Sequence, residues 1–198
     1  NIYLVFTADS MFQGGAKILS TLKKERIKGS FFLTGNCVRM AEHADLIKDI
    51  IKQGHYVGGH SDKHLLYAPW EKRDSMLVSR SEIMEDLKAN AQALAEFGVD
   101  FEDSRWFLPP YEYYNEECVD IIENMGYKVL NYTPGTATPA DYTTPSMKNY
   151  QPSQKLIEKL YNFTAISKMP SETTDWFGNL NISIPIKNTF TANVALDF

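Results

Sequence analysis

Hydrophobic residues follow two alternating patterns over the first 131 positions of the chain. Short runs of consecutive apolar residues predict five strands, at residues 2–7, 30–34, 56–57, 106–108 and 127–131. Apolar residues at helical spacing predict the helices between them: one after Gly14-Gly15, one at 45–53, one that begins at the Ser79/Glu82 capping box and ends near Gly98, and one at 116–124. Repeated strand–helix units indicate an α/β fold with a parallel sheet.

The pattern weakens after residue 131. Residues 132–149 are rich in Thr, Pro, Gly and Tyr and predict a long loop, which at this length is expected to lie over a functional site. Residues 153–163 predict a further helix, and residues 182–186 a strand that Pro185 confines to an edge or an irregular position. The chain shows no repeat and no interdomain linker. Residues 1–198 are therefore expected to form one domain.

Composition narrows the classes of function. The 198 residues are 43% hydrophobic and 23% charged, which suits a single domain with a substantial core, and no apolar run approaches the roughly 20 residues of a transmembrane helix. With 20 basic against 25 acidic side chains, the net charge of −5 argues against a nucleic-acid partner. Cys37 and Cys118 are too few for a disulfide framework or a thiolate zinc site.

Three residues with metal-binding side chains follow predicted strands. Asp9 comes after the first strand and His60 after the third, and the carboxyl ends of parallel strands meet on one face. His64 lies four residues after His60, a spacing that places two imidazoles on one side of a helical turn. Two imidazoles and one carboxylate suit a divalent ion with open positions. Taken alone, the pair is also typical of surface or capping histidines, and Asp9 of a carboxylate that caps a turn.

Several segments resemble the motifs of one family, in the same order along the chain. They are residues 4–9, residues 30–35, the approach and histidine pair at residues 54–64, and residues 107–111. Together they resemble the polysaccharide deacetylase family, carbohydrate esterase family 4 with its NodB homology domain, over residues 2–145. The resemblance implies a distorted (β/α) barrel of about seven parallel strands. It also implies metal-dependent hydrolysis of acetyl groups on carbohydrate, with zinc as the favoured ion.

The resemblance assigns roles to particular residues. Asp9, His60 and His64 are implied metal ligands, and the backbone N–H of Tyr111 an implied donor to the developing oxyanion. The implied partner is an acetylated oligo- or polysaccharide, met in the periplasm or at the cell surface. The chain opens at Asn1 within an apolar run, so no export signal is expected inside it. Residues 182–198 do not match the family's closing strand and helix, which predicts a divergent or shortened ending.

The departures from the family pattern concern proton transfer. Ala8 stands where the family has its general base, and Leu108 where it has the arginine that holds that base. No histidine follows His64 within the 198 residues, so the family's late general acid has no counterpart there. Asp141 matches the aspartate of the family's fourth motif and is the best candidate to move protons, with a loop-capping role as the alternative.

Seven aromatic residues fall on predicted loops: Tyr67, Trp70, Tyr111, Tyr113, Tyr114, Tyr142 and Tyr150. Flat amphipathic rings suit stacking on sugars, although each ring singly is also typical of loop packing. We hypothesise a substrate surface formed by Trp70, Tyr111, Tyr113, Tyr114 and Tyr142. The preferred function is a metal-dependent carbohydrate deacetylase. The alternative is an impaired relative that binds metal and glycan without turnover.

Overall fold

The computed structural model describes residues 2–12, 14–166 and 191–196. Five strands run parallel: β1 (Ile2–Ala8), β2 (Ser30–Leu33), β3 (Tyr56–Gly59), β4 (Trp106–Phe107) and β5 (Lys128–Val129). A sixth strand, β6 (Thr191–Leu196), pairs with β1 in the antiparallel direction, and the strand order is β5-β4-β3-β2-β1-β6. The α/β class and the parallel sheet are confirmed. The seven-stranded parallel barrel is not, because an antiparallel strand occupies the edge of β1 among the described residues.

Six α-helices accompany these strands in the described residues. They are α1 (Gly15–Glu25), α2 (Gly35–Arg39), α3 (Ala44–Lys52), α4 (Arg80–Ala95), α5 (Glu116–Asn124) and α6 (Ser153–Ile166). The predicted capping box starts α4: the Glu82 N–H donates to Ser79 Oγ at 3.3 Å, and the Ser79 N–H donates to the Glu82 carboxylate at 2.7 Å. No helix in the described part of the chain has the length and apolar character to cross a membrane.

Some elements differ from the sequence-based predictions. The helix α2 is not predicted, because five residues are too few to show a hydrophobic period. The loop predicted at residues 132–149 contains a 3-10 helix at Thr138–Tyr142. The strand predicted at residues 182–186 lies outside the described residues.

The strand register places the carboxyl ends of three strands side by side. Ala8 of β1 pairs with Leu33 of β2, which pairs with Gly59 of β3. Alternate residues of β2 face different clusters: Phe31 and Leu33 pack in the core beside α1 and α3, whereas Phe32 packs on the opposite face. The next residue along each strand therefore emerges at one common edge of the sheet, and these residues are Asp9, Thr34 and His60.

Candidate active site

The carboxylate of Asp9 is held by two donors from the neighbouring strand end. Thr34 Oγ1 donates to Asp9 Oδ1 at 2.9 Å, and Asn36 Nδ2 donates to the same oxygen at 3.3 Å. Burial acts to raise the pKa of Asp9, but the hydrogen bonds from Thr34, Asn36 and the Ser10 backbone, with the charge of His64, together hold it below its ordinary value. Asp9 is therefore an anion at neutral pH.

The helix α2 explains how these donors are fixed. Thr34 is its N-cap residue, and the same hydroxyl that donates to Asp9 accepts a hydrogen bond from the Cys37 N–H at 3.0 Å. Asn36 lies in the first turn of the helix. The first turn of α2 thus connects the end of β2 to the end of β1.

His60 is buried and held in one tautomer. Its Nδ1 lies 2.6 Å from the carbonyl oxygen of Leu108, and because a carbonyl can only accept, Nδ1 carries the proton. The Nε2 atom is then left with its lone pair free, as in a histidine that ligates a metal. Burial, with a smaller contribution from His64, lowers the pKa of His60 to about 3. The ring is neutral over the physiological range.

His64 adjoins His60, but not through a helical turn. Residues 60–64 form an irregular loop in which Ser61 and His64 have φ angles of 74° and 55°. The prediction of a helical turn is wrong because these left-handed residues reverse the chain. The two imidazole centroids are nevertheless 5.0 Å apart. Burial lowers the pKa of His64, while the carboxylates of Asp9 and Asp86 act against that shift.

The donor set of Asp9, His60 and His64 fits a divalent ion. It combines an anionic carboxylate with two neutral imidazoles, one of which has its orientation set by a backbone carbonyl. Within the described residues, no three His, Cys, Asp or Glu side chains stand in a closed metal-binding arrangement. Ligand chemistry and proximity therefore support these residues as metal ligands, and the assignment stays a prediction.

Aromatic rings extend outward from His64. The Tyr111 ring lies 4.4 Å from the His64 ring, Trp70 lies 5.8 Å from Tyr111, and Tyr113 lies 4.5 Å from Trp70. We call Tyr111, Trp70 and Tyr113 the aromatic platform. Trp70 and Tyr111 are 55% and 46% exposed, so this platform is open to solvent. The guanidinium of Arg73 lies 4.8 Å from the Tyr113 centroid at its outer end.

The remaining predicted aromatic contacts separate into different environments. Tyr114 is half-buried, and its hydroxyl accepts a hydrogen bond from Asn131 at 3.3 Å. Tyr142 is 54% exposed, and its hydroxyl accepts one from Asn149 at 3.3 Å. Tyr67 is fully buried in a core cluster with α4 and α5, so for this residue the packing alternative is the correct one.

The residues at the positions of the expected base and its arginine partner are apolar and buried. Ala8 is 5% exposed, and Leu108 is fully buried in a cluster with Val5 and Phe32. Asp141 lies in the 3-10 helix Thr138–Tyr142. Among the described groups, it is not one of the charges that shift the pKa of the three metal-ligand candidates. Its role in proton transfer stays a prediction.

Sequence analysis does not identify four polar residues that hold the site: Thr34, Asn36, Arg39 and Asp86. A signal for two of them is present in the chain. Thr34 precedes Gly35 at the end of a predicted strand, which is typical of a helix N-cap. Asp86 lies between Ile83 and Leu87 on the apolar side of a predicted helix, where a carboxylate needs a polar partner.

Comparison with known proteins is consistent with this geometry. The family model described as polysaccharide deacetylase matches residues 2–130. An uncharacterized 30.6 kDa protein from the fumA 3′ region of Geobacillus stearothermophilus is 32% identical over 129 residues, which cover 64% of this chain and 44% of that protein. The peptidoglycan-N-acetylmuramic acid deacetylase PdaA of Bacillus subtilis is 29% identical over 132 residues, covering 65% of this chain and 44% of PdaA. The chain therefore spans less than half the length of these curated relatives.

The fold also resembles solved structures. BA3943 from Bacillus anthracis, described as a CE4 family pseudoenzyme, is 24% identical with a TM-score of 0.60, covering 80% of this chain and 50% of that chain. A BA3943 mutant described as having restored enzymatic activity gives a TM-score of 0.62 at 24% identity, over 80% of this chain and 50% of that one. At this identity, the likeness shows a shared fold.

Proposed function

Because the chain belongs to the polysaccharide deacetylase family, we propose that it binds a divalent ion, with zinc favoured, and removes acetyl groups from an acetylated carbohydrate. The observation that carries this proposal is the placement of Asp9 and His60 at adjacent strand ends, with the His64 ring between His60 and the solvent-exposed aromatic platform. The ligands and the sugar-stacking surface are thus close enough to act on one substrate.

The chain's own groups supply binding and orientation. Asp9 is kept anionic by Thr34 and Asn36, and His60 is kept neutral with Nε2 available. When bound there, a divalent ion supplies Lewis acidity to the acetyl carbonyl and activates water. Among the hydrogen bonds of the described residues, the Tyr111 N–H has no acceptor. It is free to donate to the oxyanion that develops on the acetyl carbonyl.

Proton transfer is the weak part of this site. A positioned acid or base contributes about 10²–10⁴-fold to a rate. Ala8 and Leu108 supply neither a base nor its partner, so the remaining candidate is Asp141, which we propose carries a proton to the leaving group. The protein is accordingly expected to be a slower enzyme than family members with the full acid–base set.

Substrate class and location follow from the relatives. PdaA is named for deacetylation of N-acetylmuramic acid in peptidoglycan. We propose an acetylated cell-wall or other polysaccharide as the substrate and the periplasm or cell surface as the place of action. Trp70, Tyr111 and Tyr113 are the contacts proposed for the sugar rings, with Tyr114 and Tyr142 beside them.

A second function is favoured by a specific observation. Ala8 and Leu108 are both buried and apolar, which is the expected result if the site has ceased to need a base. The protein would then bind metal and glycan without hydrolysing the acetyl group. The solved family structure described as a pseudoenzyme supports this alternative, and its mutant with restored activity supports testing restoration here.

Metal content and acetate release, measured on one sample, decide between these functions. We expect one divalent ion per chain, lost in His60→Ala and His64→Ala and retained in His55→Ala, which changes a histidine at the opposite end of β3 from His60. Full metal content in both site variants would contradict the metal assignment. Metal and glycan binding without acetate release, over a panel of chito- and xylo-oligosaccharides and peptidoglycan, would favour the binding function.

The role of Asp141 is tested separately. Asp141→Asn in a metal-loaded sample is expected to lower acetate release about 10²-fold or more, because the amide cannot carry the proton. Asp120→Asn, which changes an exposed carboxylate on α5, serves as the matched control. Equal rates for the two variants would remove Asp141 from the mechanism.

A further inference from the structure

The loop that carries both histidines is held by side chains that do not belong to it. Residues 60–64, which we call the histidine loop, have no regular secondary structure and contain two left-handed residues, Ser61 and His64. Such a conformation costs free energy and persists only where the surroundings determine it. The groups that determine it come from α2 on one side and α4 on the other.

On the α2 side, the contacts are to the early part of the histidine loop. The Gly35 N–H donates to the Ser61 carbonyl at 3.1 Å, and the Asn36 N–H donates to the Asp62 carbonyl at 3.0 Å. Arg39 Nη2 donates to Asp62 Oδ1 at 2.7 Å. A Cβ on Gly35 would lie 1.8 Å from that same oxygen, so only glycine permits this close approach.

On the α4 side, a single carboxylate accepts hydrogen bonds from the backbone N–H groups of Asp62 and Lys63. Asp86 Oδ2 accepts from the Asp62 N–H at 2.9 Å, and Asp86 Oδ1 accepts from the Lys63 N–H at 3.0 Å. Asp86 is itself 6% exposed, and its neighbours Ile83 and Leu87 pack in the core. A buried carboxylate that accepts two charge-assisted hydrogen bonds fixes these peptide groups firmly.

We propose that Asp86 is a positioning residue for the metal site and determines the metal affinity through His64 without touching the ion. Its two hydrogen bonds hold the N–H groups of Asp62 and Lys63, the two residues directly before His64, whereas His60 is held independently by the Leu108 carbonyl. Loss of Asp86 therefore releases one ligand and leaves the other in place. Its buried negative charge also favours a cation beside it. The inference rests on the proposed metal site.

The test compares two charge-removing variants on the same helix. Asp86→Asn retains the size of the side chain but presents an N–H₂ group to one of the two peptide donors, so one hydrogen bond is lost and a repulsive contact replaces it. Glu85→Gln is the control, because Glu85 is exposed on α4 and loses the same charge. We expect the zinc affinity, measured by competition with a chelator, to fall about 10–100-fold in Asp86→Asn and to stay unchanged in Glu85→Gln.

A metal-free measurement keeps the inference testable if Asp86→Asn folds poorly. In the wild-type protein, amide exchange of Asp62 and Lys63 is expected to be strongly protected although both residues lie in a loop. Exchange as fast as in an unstructured peptide would overturn the inference without any variant. In the folded Asp86→Asn protein, the two amides are expected to lose protection, while those in the middle of α4 keep it.

The failures of the two proposals are distinguishable. A wild-type protein that binds no zinc, nickel or cobalt contradicts the proposed metal site and this inference together. A wild-type protein that binds zinc, with equal affinities in Asp86→Asn and Glu85→Gln, overturns only the positioning role. The positioning role is supported if the zinc affinity falls in Asp86→Asn and falls less in Asp86→Glu, while the unfolding free energy of the domain stays unchanged.

Discussion

At the scale of single residues, the candidate site combines the side chains proposed as metal ligands with missing proton-transfer groups. Thr34 donates to Asp9 and favours its charged form, whereas burial keeps His60 neutral and the Leu108 carbonyl fixes its tautomer. Ala8, directly before Asp9, offers only a methyl group and is 5% exposed. The family pattern has its general base at this position, which makes it the place to add a carboxylate.

Restoring a carboxylate at position 8 is therefore expected to raise activity. Ala8→Asp should increase acetate release by about 10²-fold over the wild type, since a positioned base contributes on that order or more. Ala8→Asn is the control, because it has the same size and no basic oxygen. Acetate assays on metal-loaded samples, with unfolding in urea as a check of the fold, measure the effect. Equal rates in the two variants would show that the missing base is not what limits the site.

Residue identity selects the metal-ligand candidates, whose role stays a prediction, more readily than it predicts their orientation. Asp9, His60 and His64 can be selected from the sequence because Asp9 and His60 follow predicted strands and the spacing resembles a family motif. The tautomer of His60 depends on a backbone carbonyl, that of Leu108, and every residue type has one. The side chain at position 108 carries no information about this contact, so the sequence cannot reveal it.

At the scale of elements, the short helix α2 connects the fold to the site. Its N-cap hydroxyl, from Thr34, accepts from the Cys37 N–H and donates to Asp9. Its last residue, Arg39, pairs with Asp62 in the histidine loop. One turn and a half of helix therefore contacts a metal-ligand candidate on β1 and the loop after β3.

Removing the Thr34 hydroxyl should weaken both the helix cap and the metal site. Thr34→Val keeps the shape of the side chain and is expected to lower the unfolding free energy by about 1–2 kcal/mol, the usual cost of losing an N-cap. The zinc affinity should fall as well, because Asp9 loses a donor that orients its carboxylate. Thr34→Ser keeps the hydroxyl and should lose little of either. Unfolding in urea and chelator competition give the two quantities, and wild-type zinc affinity in Thr34→Val would contradict the link to Asp9.

Elements with an apolar pattern can be predicted from this chain, and elements without one cannot. The helices α3, α4 and α5 and the strands β1 to β3 follow their hydrophobic patterns within a few residues. The strands β4 and β5 lie inside the runs predicted at residues 106–108 and 127–131, although each is only two residues long. The antiparallel pairing of β6 with β1 depends on contacts between distant parts of the chain, which no local pattern encodes.

At the scale of the whole molecule, buried histidines connect the site to stability. Burial lowers the pKa of His55, His60 and His64, so all three are kept neutral in the folded protein. An unfolded chain has no such burial, and its histidines take up protons near the ordinary pKa of about 6.5. Below that pH the unfolded state binds more protons than the folded state, and stability falls as the pH falls.

For His60, the pH range in which stability changes lies between its unfolded-state pKa of about 6.5 and its folded-state pKa of about 3. The contribution of neutral His60 to the unfolding free energy is fully present above this pH range and is lost progressively as the pH falls through it. Between pH 7 and pH 5, His60 alone should lower the unfolding free energy by about 2 kcal/mol. The reason is that roughly one and a half of these two pH units lie below the pKa of His60 in the unfolded chain, where the unfolded state is protonated and the folded state is not. Most carboxylates titrate below this range, so they contribute little to the change.

The measurement is urea unfolding of metal-free protein, with chelator in excess, at pH 7, 6 and 5. The loss of unfolding free energy from pH 7 to pH 5 is expected to be about 2 kcal/mol smaller in His60→Gln than in the wild type, because glutamine does not titrate. His55 and His64 remain in this variant, so its unfolding free energy should still fall with falling pH, but less steeply than that of the wild type. With saturating zinc, the wild type should lose stability more steeply with falling pH, since protons then compete with the ion for the same nitrogen atoms. A wild-type slope identical to that of His60→Gln would show that burial does not hold His60 neutral in the folded protein.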